Sequence, residues 1–269
     1  MTNTINAAVN PAMANNLIEQ ALAEKPVEQP VKIVPPSDTV VNLPCGYITD
    51  AGEVITEAEV RELNGNDEEA IARATNPGKA MLTILQRGTV RIGNEKATEK
   101  MLDQMLSGDR DMLILGIFKA TFGNVSDIAA FCYKCEEDKI VSVELDKDIK
   151  VKVLTDPVND RVFTVKGKTN TYTVKLPNGI AQKEMMLNPD KTGAELSTIM
   201  LENTVAQINN SPVLSKLQIQ NLGLVDRRKL VEEINKRIAG PQFDTLTVTC
   251  PDCESEVSVS VNFGTLFQF

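Results

Sequence analysis

Four cysteines in two Cys-x-x-Cys pairs constrain this chain more than any other feature: Cys132-Tyr-Lys-Cys135 and Cys250-Pro-Asp-Cys253. Such a knuckle lets two thiolates reach one metal ion from a single tight turn. Two knuckles supply the tetrahedral four-sulfur set that zinc prefers, at about 2.3 Å per bond. Phe131 precedes the first pair and Thr247-Val248-Thr249 the second, and alternating apolar and polar residues follow each. Each knuckle is therefore expected between two strands, the layout of a zinc ribbon. The segment from Cys135 to Cys250 is far longer than in a compact ribbon. An insertion there need only begin and end close together, and closing so long a loop through a metal removes on the order of 4 kcal/mol of unfolded-state freedom.

Cys132, Cys135, Cys250 and Cys253 are thus the expected ligands of a structural zinc. Iron–sulfur binding uses the same four thiolates, and a redox pair, disulfides or plain buried thiols are the other readings. Neither pair opens a helix after a strand, as a thioredoxin-like site does. Four thiolates leave no open coordination position, so the expected metal is not catalytic. Cys45 is left over and reads as a small buried residue in a Pro44-Cys45-Gly46-Tyr47 turn.

Composition removes other chemistries. The 269 residues include no His, which excludes a Ser-His-Asp triad, a Cys-His nucleophile and every His metal ligand. Trp is absent and aromatics make up 4 %, too few for a stacking platform on single-stranded nucleic acid. The 28 Lys+Arg against 37 Asp+Glu give a net charge of −9, a poor match for nucleic acid or an anionic membrane. Around the knuckles the imbalance is local: Glu136, Glu137, Asp138, Asp252, Glu254 and Glu256 face only Lys134 and Lys139. A nucleic-acid-binding zinc-ribbon regulator, an alternative function, needs a basic face instead. Gly167-Lys168-Thr169 matches the end of a phosphate loop, but Val162 stands where its first Gly belongs. No carboxylate couple stands out, and an enzyme is not expected. No apolar run approaches the roughly 20 residues of a membrane-spanning helix. A basic signal-peptide start is missing too, so folding in a cytosol is expected.

Periodicity divides the chain into an α+β arrangement. Residues 1–38 hold five of the 13 prolines and read as an extended arm, with one amphipathic stretch around Met13, Leu17 and Leu22 suited to docking on a partner. Residues 39–125 read as a mainly helical lobe after a short β entry, with helices after Asn66, after Asn76-Pro77, over Glu95–Leu106 and from Ser107 to Gly123. The last is apolar almost all round and is expected at the centre of the core. Residues 126–269 read as an antiparallel β lobe carrying the four-cysteine site, with a helical insertion over Ala194–Ile208, from Ser211-Pro212, and from Asp226 to Gly240.

Several segments in order resemble a known family. Val41-Asn-Leu-Pro-Cys-Gly-Tyr47 and Glu62-Leu-Asn-Gly-Asn-Asp-Glu-Glu69 resemble its entry. Leu106-Ser-Gly-Asp-Arg110 with Leu113-Ile-Leu-Gly-Ile-Phe118 and Phe122-Gly123 resembles its apolar helix. The first Cys-x-x-Cys, Val174-Lys-Leu-Pro-Asn-Gly179, Asp226-Arg-Arg-Lys-Leu230 and the closing Cys-Pro-x-Cys follow. This order is similar to the T-even-type bacteriophage baseplate hub and hub-assembly family, over roughly residues 39–269. Cys45 stands where the family often has Ser, and Phe118 where Arg is common. The resemblance implies a structural role at a tail baseplate or tail tip, in the virion, assembled in the host cytoplasm with other tail proteins as partners in an oligomeric assembly. Its alternative is a tail-assembly chaperone absent from the finished virion.

Overall fold

The computed structural model describes residues 39–243 and 245–268. The arm over residues 1–38, with its docking stretch, lies outside them. In chain order the first elements are β1 (Val40–Ile48), β2 (Val54–Val60), α1 (Gly65–Ala72), α2 (Pro77–Gly88), β3 (Thr89–Ile92), β4 (Glu95–Lys96), α3 (Glu99–Gln104) and α4 (Ser107–Phe122). Next come β5 (Val125–Cys132), β6 (Glu137–Glu144), the single turn α5 (Leu145–Asp148), β7 (Lys150–Lys152), β8 (Val162–Lys166) and β9 (Thr171–Lys175). The insertion continues with α6 (Gly179–Met186), α7 (Gly193–Thr204), β10 (Val205–Ile208), β11 (Ser211–Pro212), α8 (Lys216–Gln220) and α9 (Leu224–Asn235). The chain closes with β12 (Gly240–Gln242), β13 (Thr245–Thr249), β14 (Glu256–Ser260) and α10 (Phe263–Phe267). Every named pairing is antiparallel, so the fold is the α+β mixture that the periodicity indicates. No described helix is long and apolar enough to cross a membrane.

Helix α4 takes the central place expected of it. Leu113, Ile114 and Ile117 face one core with β1, β2 and α2, through Val41, Val60, Ile84 and Leu85. Leu115 and Phe118 face a second core, built from Ile128, Val141, Val143, Val257 and Val259. A helix buried on both sides has no polar stripe, which is why its sequence is apolar all round. A third core fills the insertion, around Tyr172, Leu201, Leu230 and Ile234.

Several local expectations are corrected. The β entry of residues 39–125, expected around Val40–Leu43 with a return at Val54 and Ile55, is half of a four-stranded sheet, β1-β2-β3-β4. Glu95 begins a two-residue strand rather than a helix, because Thr98 caps α3 by accepting from Met101 N. Residues Val205–Ile208 leave α7 and pair with β9; Ser211-Pro212 pairs with β10, and Ser215 caps the helix expected to start there. Asp226 does not cap α9, whose cap is Gly223; its carboxylate accepts from Tyr172 Oη at 2.6 Å and Lys168 N at 2.7 Å. Asn64, not Asn66, caps α1.

The Pro44–Tyr47 segment is a bulge inside β1 rather than a turn. The β1–β2 register slips between Asn42 and Tyr47, and Gly46 has φ +70°. Its freed donors turn to α4, where Asp109 Oδ1 accepts from Cys45 N at 2.7 Å. Asp109 is fully buried, so it does far more than open a helix. Burial pushes its carboxyl up to about 6, against the opposing pull of the Cys45 and Gly46 amides and of Arg161. A carboxyl raised in the folded state favours folding when protonated. That contribution is complete below about pH 4 and is lost as pH rises through 6. The wild type should therefore gain stability relative to Asp109→Asn as pH falls from 7 to 4.5. Urea midpoints of both chains at the two pH values check this; a constant gap contradicts it.

Candidate metal centre

The two cysteine pairs sit at the turns of two hairpins packed together. Strands β5 and β6 pair from Val125↔Glu144 to Cys132↔Glu137, so the first knuckle spans the gap between their ends. Strands β13 and β14 pair from Thr245↔Ser260 to Thr249↔Glu256, leaving the second knuckle at the same kind of end. Strand β14 lies against β5. Inward-facing valines of both hairpins form one core with Cys132 and Cys250, so burying those side chains brings the knuckles face to face.

Both turns close the same way. The residue after each second cysteine, Glu136 and Glu254, is left-handed, with φ of 57° and 58°. That conformation costs a non-glycine residue roughly 1 kcal/mol, and here it occurs twice at equivalent positions. In the second knuckle Glu254 N donates to Cys250 O at 3.1 Å and Cys250 N to Ser255 O at 2.8 Å.

The result is four sulfurs within 4.8 Å of one another. Cys132 Sγ lies 3.6 Å from Cys253 Sγ, and Cys135 Sγ lies 3.9 Å from Cys250 Sγ. A tetrahedron of sulfurs at zinc–thiolate bond length has edges of about 3.8 Å. Both contacts cross from one knuckle to the other, and all four thiols are free. Cys132 and Cys250 are buried while Cys135 and Cys253 are half-buried, so the cluster lies at the edge of the core.

The surroundings favour thiolate at Cys132 and Cys253. Ser255 Oγ reaches Cys253 Sγ at 2.9 Å and Cys132 Sγ at 3.4 Å. That hydroxyl, with the backbone amides of Cys135 and Lys134, brings the Cys132 thiol down to about 6. The hydroxyl also lowers Cys253. Cys135 moves the other way, up to about 12, through its contact with Cys253, burial, and the other two sulfurs. Four thiolates this close need a cation between them before all can ionise.

Two lysines tie the knuckles together outside the sulfurs. Lys139 Nζ lies 2.6 Å from Asp252 and 2.7 Å from Glu137, joining β6 to the second knuckle. Lys134 Nζ donates to Cys253 O at 3.3 Å. The two cations in the acidic ring are thus engaged in this joint.

All four cysteines named from spacing come together. Sequence reading passed over Ser255 and took Glu136 and Glu254 as local charge alone, not as the left-handed residues that close the turns. A visible signal was the shared Cys-x-x-Cys-Glu, followed in the second knuckle by Ser255. Cys45 is not part of the cluster: it is buried against Asp109, which with burial pushes its thiol well up. Gly167 lies in the turn between β8 and β9, where Gly167 N donates to Asn170 O at 2.8 Å, not at a helix start. Replacing Ser255 by Ala should lower metal affinity by about 10–100-fold, the usual effect of losing a group that orients metal ligands. Competition against a chromophoric chelator measures it; unchanged affinity contradicts the role.

The family model for the T4 bacteriophage base plate protein matches residues 47–268. Comparison with curated proteins gave no match, and comparison with solved structures gave none. The matched span takes in both knuckles, the central helix α4 and the whole insertion, and on it the chain belongs to the T4 bacteriophage base plate protein family.

Proposed function

We propose that this chain is a structural component of the hub region of a phage tail baseplate or tail tip, joining other tail proteins without catalysing a reaction. A structural zinc ion on Cys132, Cys135, Cys250 and Cys253 staples its two hairpins. Membership of the baseplate family supports the tail role, and the four-sulfur cluster supports the zinc. The cluster is the single observation that carries the structural reading. It closes the insertion at its base, has no room for a substrate beside four thiolates, and lies in an acidic ring that repels phosphate.

The same reading divides the chain into an arm over 1–38 that docks on a neighbour, a lobe over 39–125, and a cysteine lobe over 126–269 with its helical insertion. Quantitative mass spectrometry of purified particles tests the tail role. A few stoichiometric copies per particle are expected. Absence from particles with presence in infected-cell lysate would replace the virion role with that of an assembly chaperone.

A further inference from the structure

Strand β6 presents an open edge in an acidic part of the chain. Leu145 N donates to Asn124 O, one step beyond the β5–β6 ladder. Bonded and non-bonded pairs alternate along an antiparallel ladder, so the N–H and C=O groups of Asp138, Ile140, Ser142 and Glu144 point away from β5. Glu144 N is taken by Asp148 Oδ2 at 2.9 Å, which closes the edge at that end. The outward groups of Asp138, Ile140 and Ser142 meet no described partner: the hairpin is a two-stranded sheet, and β14 packs against β5. An edge of this kind is a template for another strand, which proteins commonly guard with a short strand, proline, a bulge or an exposed lysine. Strand β6 has eight residues, no proline and no break in register. Its one cation, Lys139, is held by Glu137 and Asp252.

The side chains of the same residues form the outer face, because the strand buries the alternate positions Val141 and Val143. Ile140 is 62 % exposed and lies across from Ala129; Phe131, 46 % exposed, lies across from Asp138. Acids flank this apolar centre. Asp138 and Glu144 are in no ion pair with a described residue, and Asp127 accepts from Ser142 Oγ at 2.6 Å. Residues 125–148 carry seven acids against Lys134, Lys139 and Lys147. Lys134 is turned to Cys253 O, Lys147 lies beyond the strand in α5, and Lys119 of α4 answers Asp146 alone. The hairpin packed alongside, residues 245–260, adds Asp252, Glu254 and Glu256 and no cation.

We propose that the open edge of β6 takes up an extended strand of another tail protein, one in which Lys or Arg flanks an apolar residue at alternate positions. The spacing follows from the register. A residue opposite Ile140 on the outer face meets apolar surface. The residue two positions to one side meets Asp138, and the residue four positions to the other side meets Glu144. Backbone bonds to the edge supply affinity, and these side chains select the donor. A chain of net charge −9 is a poor donor to its own acidic edge, so a second copy is not expected. That the donor is a tail protein rests on the role proposed above; the edge and its preference for a basic strand do not.

Fluorescence anisotropy of a labelled Thr-Lys-Thr-Val-Thr-Val-Thr-Lys-Thr peptide against the purified full-length chain tests the edge. Saturable binding that weakens at high salt is expected. Replacing both peptide lysines by Glu should weaken it by about tenfold or more. N-methylating the peptide at its lysines and valines keeps every side chain but removes the edge bonds, and should abolish binding. Ser142→Pro deletes one outward N–H without touching the β5 ladder and should weaken binding. Asp138→Lys with Glu144→Lys should invert the preference, so that the Glu peptide binds better than the Lys peptide. Circular dichroism and metal content verify that each variant is folded. No saturable binding of the Lys peptide overturns the proposal, as does equal binding of the N-methylated peptide or an unchanged preference in the charge-reversed variant. In particles, Ile140→p-benzoylphenylalanine should cross-link to a segment of another tail protein with this basic spacing. A cross-link to a second copy of this chain, to a segment without that spacing, or to nothing in particles that contain the chain overturns the choice of donor. Absence of the chain from particles would instead remove the tail role and leave the peptide result to stand by itself.

Discussion

Cys132→Ser and Cys250→Ser should each lose the bound metal and unfold or aggregate, whereas Cys45→Ser should keep metal at the wild-type level. The three thiols are all nearly inaccessible, so burial alone does not distinguish them. Their partners do. Cys132 and Cys250 each lie within 4 Å of a cysteine on the opposite knuckle, and Cys45 lies against Asp109. Apparent binding energies of structural zinc are about 10–16 kcal/mol in small zinc modules, comparable to the whole stability of an ordinary domain of about 5–15 kcal/mol. An incomplete site also leaves the remaining sulfurs crowded with no cation to balance them. The closed loop adds to the loss, because opening it restores on the order of 4 kcal/mol of freedom to the unfolded chain. Thermal unfolding and zinc content of the three variants, side by side, check this. Unchanged thermal stability in both knuckle variants would remove the zinc staple.

Arg110→Met should cost about 3–5 kcal/mol, the usual result of removing one partner from a buried charged network. The Arg110 side chain is 2 % exposed. Its Nε donates to Gln182 Oε1 at 2.6 Å and its Nη1 to Leu102 O at 2.7 Å; Asp103 lies 3.9 Å away. Gln182 in turn donates to Asp111 Oδ1 at 2.7 Å. One guanidinium thus holds the end of α3, the first turn of α4 and the helix α6 of the insertion. Methionine fills similar volume but satisfies none of these acceptors. Arg110→Lys keeps the charge without the planar fork and should recover only part of the loss. Chemical denaturation measures both. A methionine variant within 1 kcal/mol of wild type would contradict the network.

These networks mark where sequence reading stops. The Ser-Gly-Asp-Arg run at 107–110 reads as a helix start, and in position it is one. What the run does is set by residues far away in the chain. Asp109 reaches Cys45, Arg110 reaches Gln182, and a Cβ on Gly108 would sit 2.0 Å from Ala239 O. Local pattern carries no information about such long-range partners. Helix α4 was legible because burial on both sides removes its polar stripe, and the cap at Asn76 because the bond to Lys79 N is local. Strand β10 was not legible. Val205–Ile208 continues the apolar run of α7 and becomes a strand only because β9 offers it an edge.

The cysteine site was legible for a different reason. Its chemistry depends on residue type and short spacing, and those survive an insertion of any length between the pairs. Ser255 and the Lys139–Asp252 contact depend on how the hairpins meet. Spacing says nothing about that meeting, so the ligands could be named in advance and their supports could not.

The most direct test of the zinc staple is metal content together with X-ray absorption at the zinc edge on the purified full-length chain. One zinc per chain is expected, bound by four sulfurs at about 2.3 Å. A folded chain with no stoichiometric metal, with iron in its place, or with oxygen or nitrogen ligands at the zinc would contradict it.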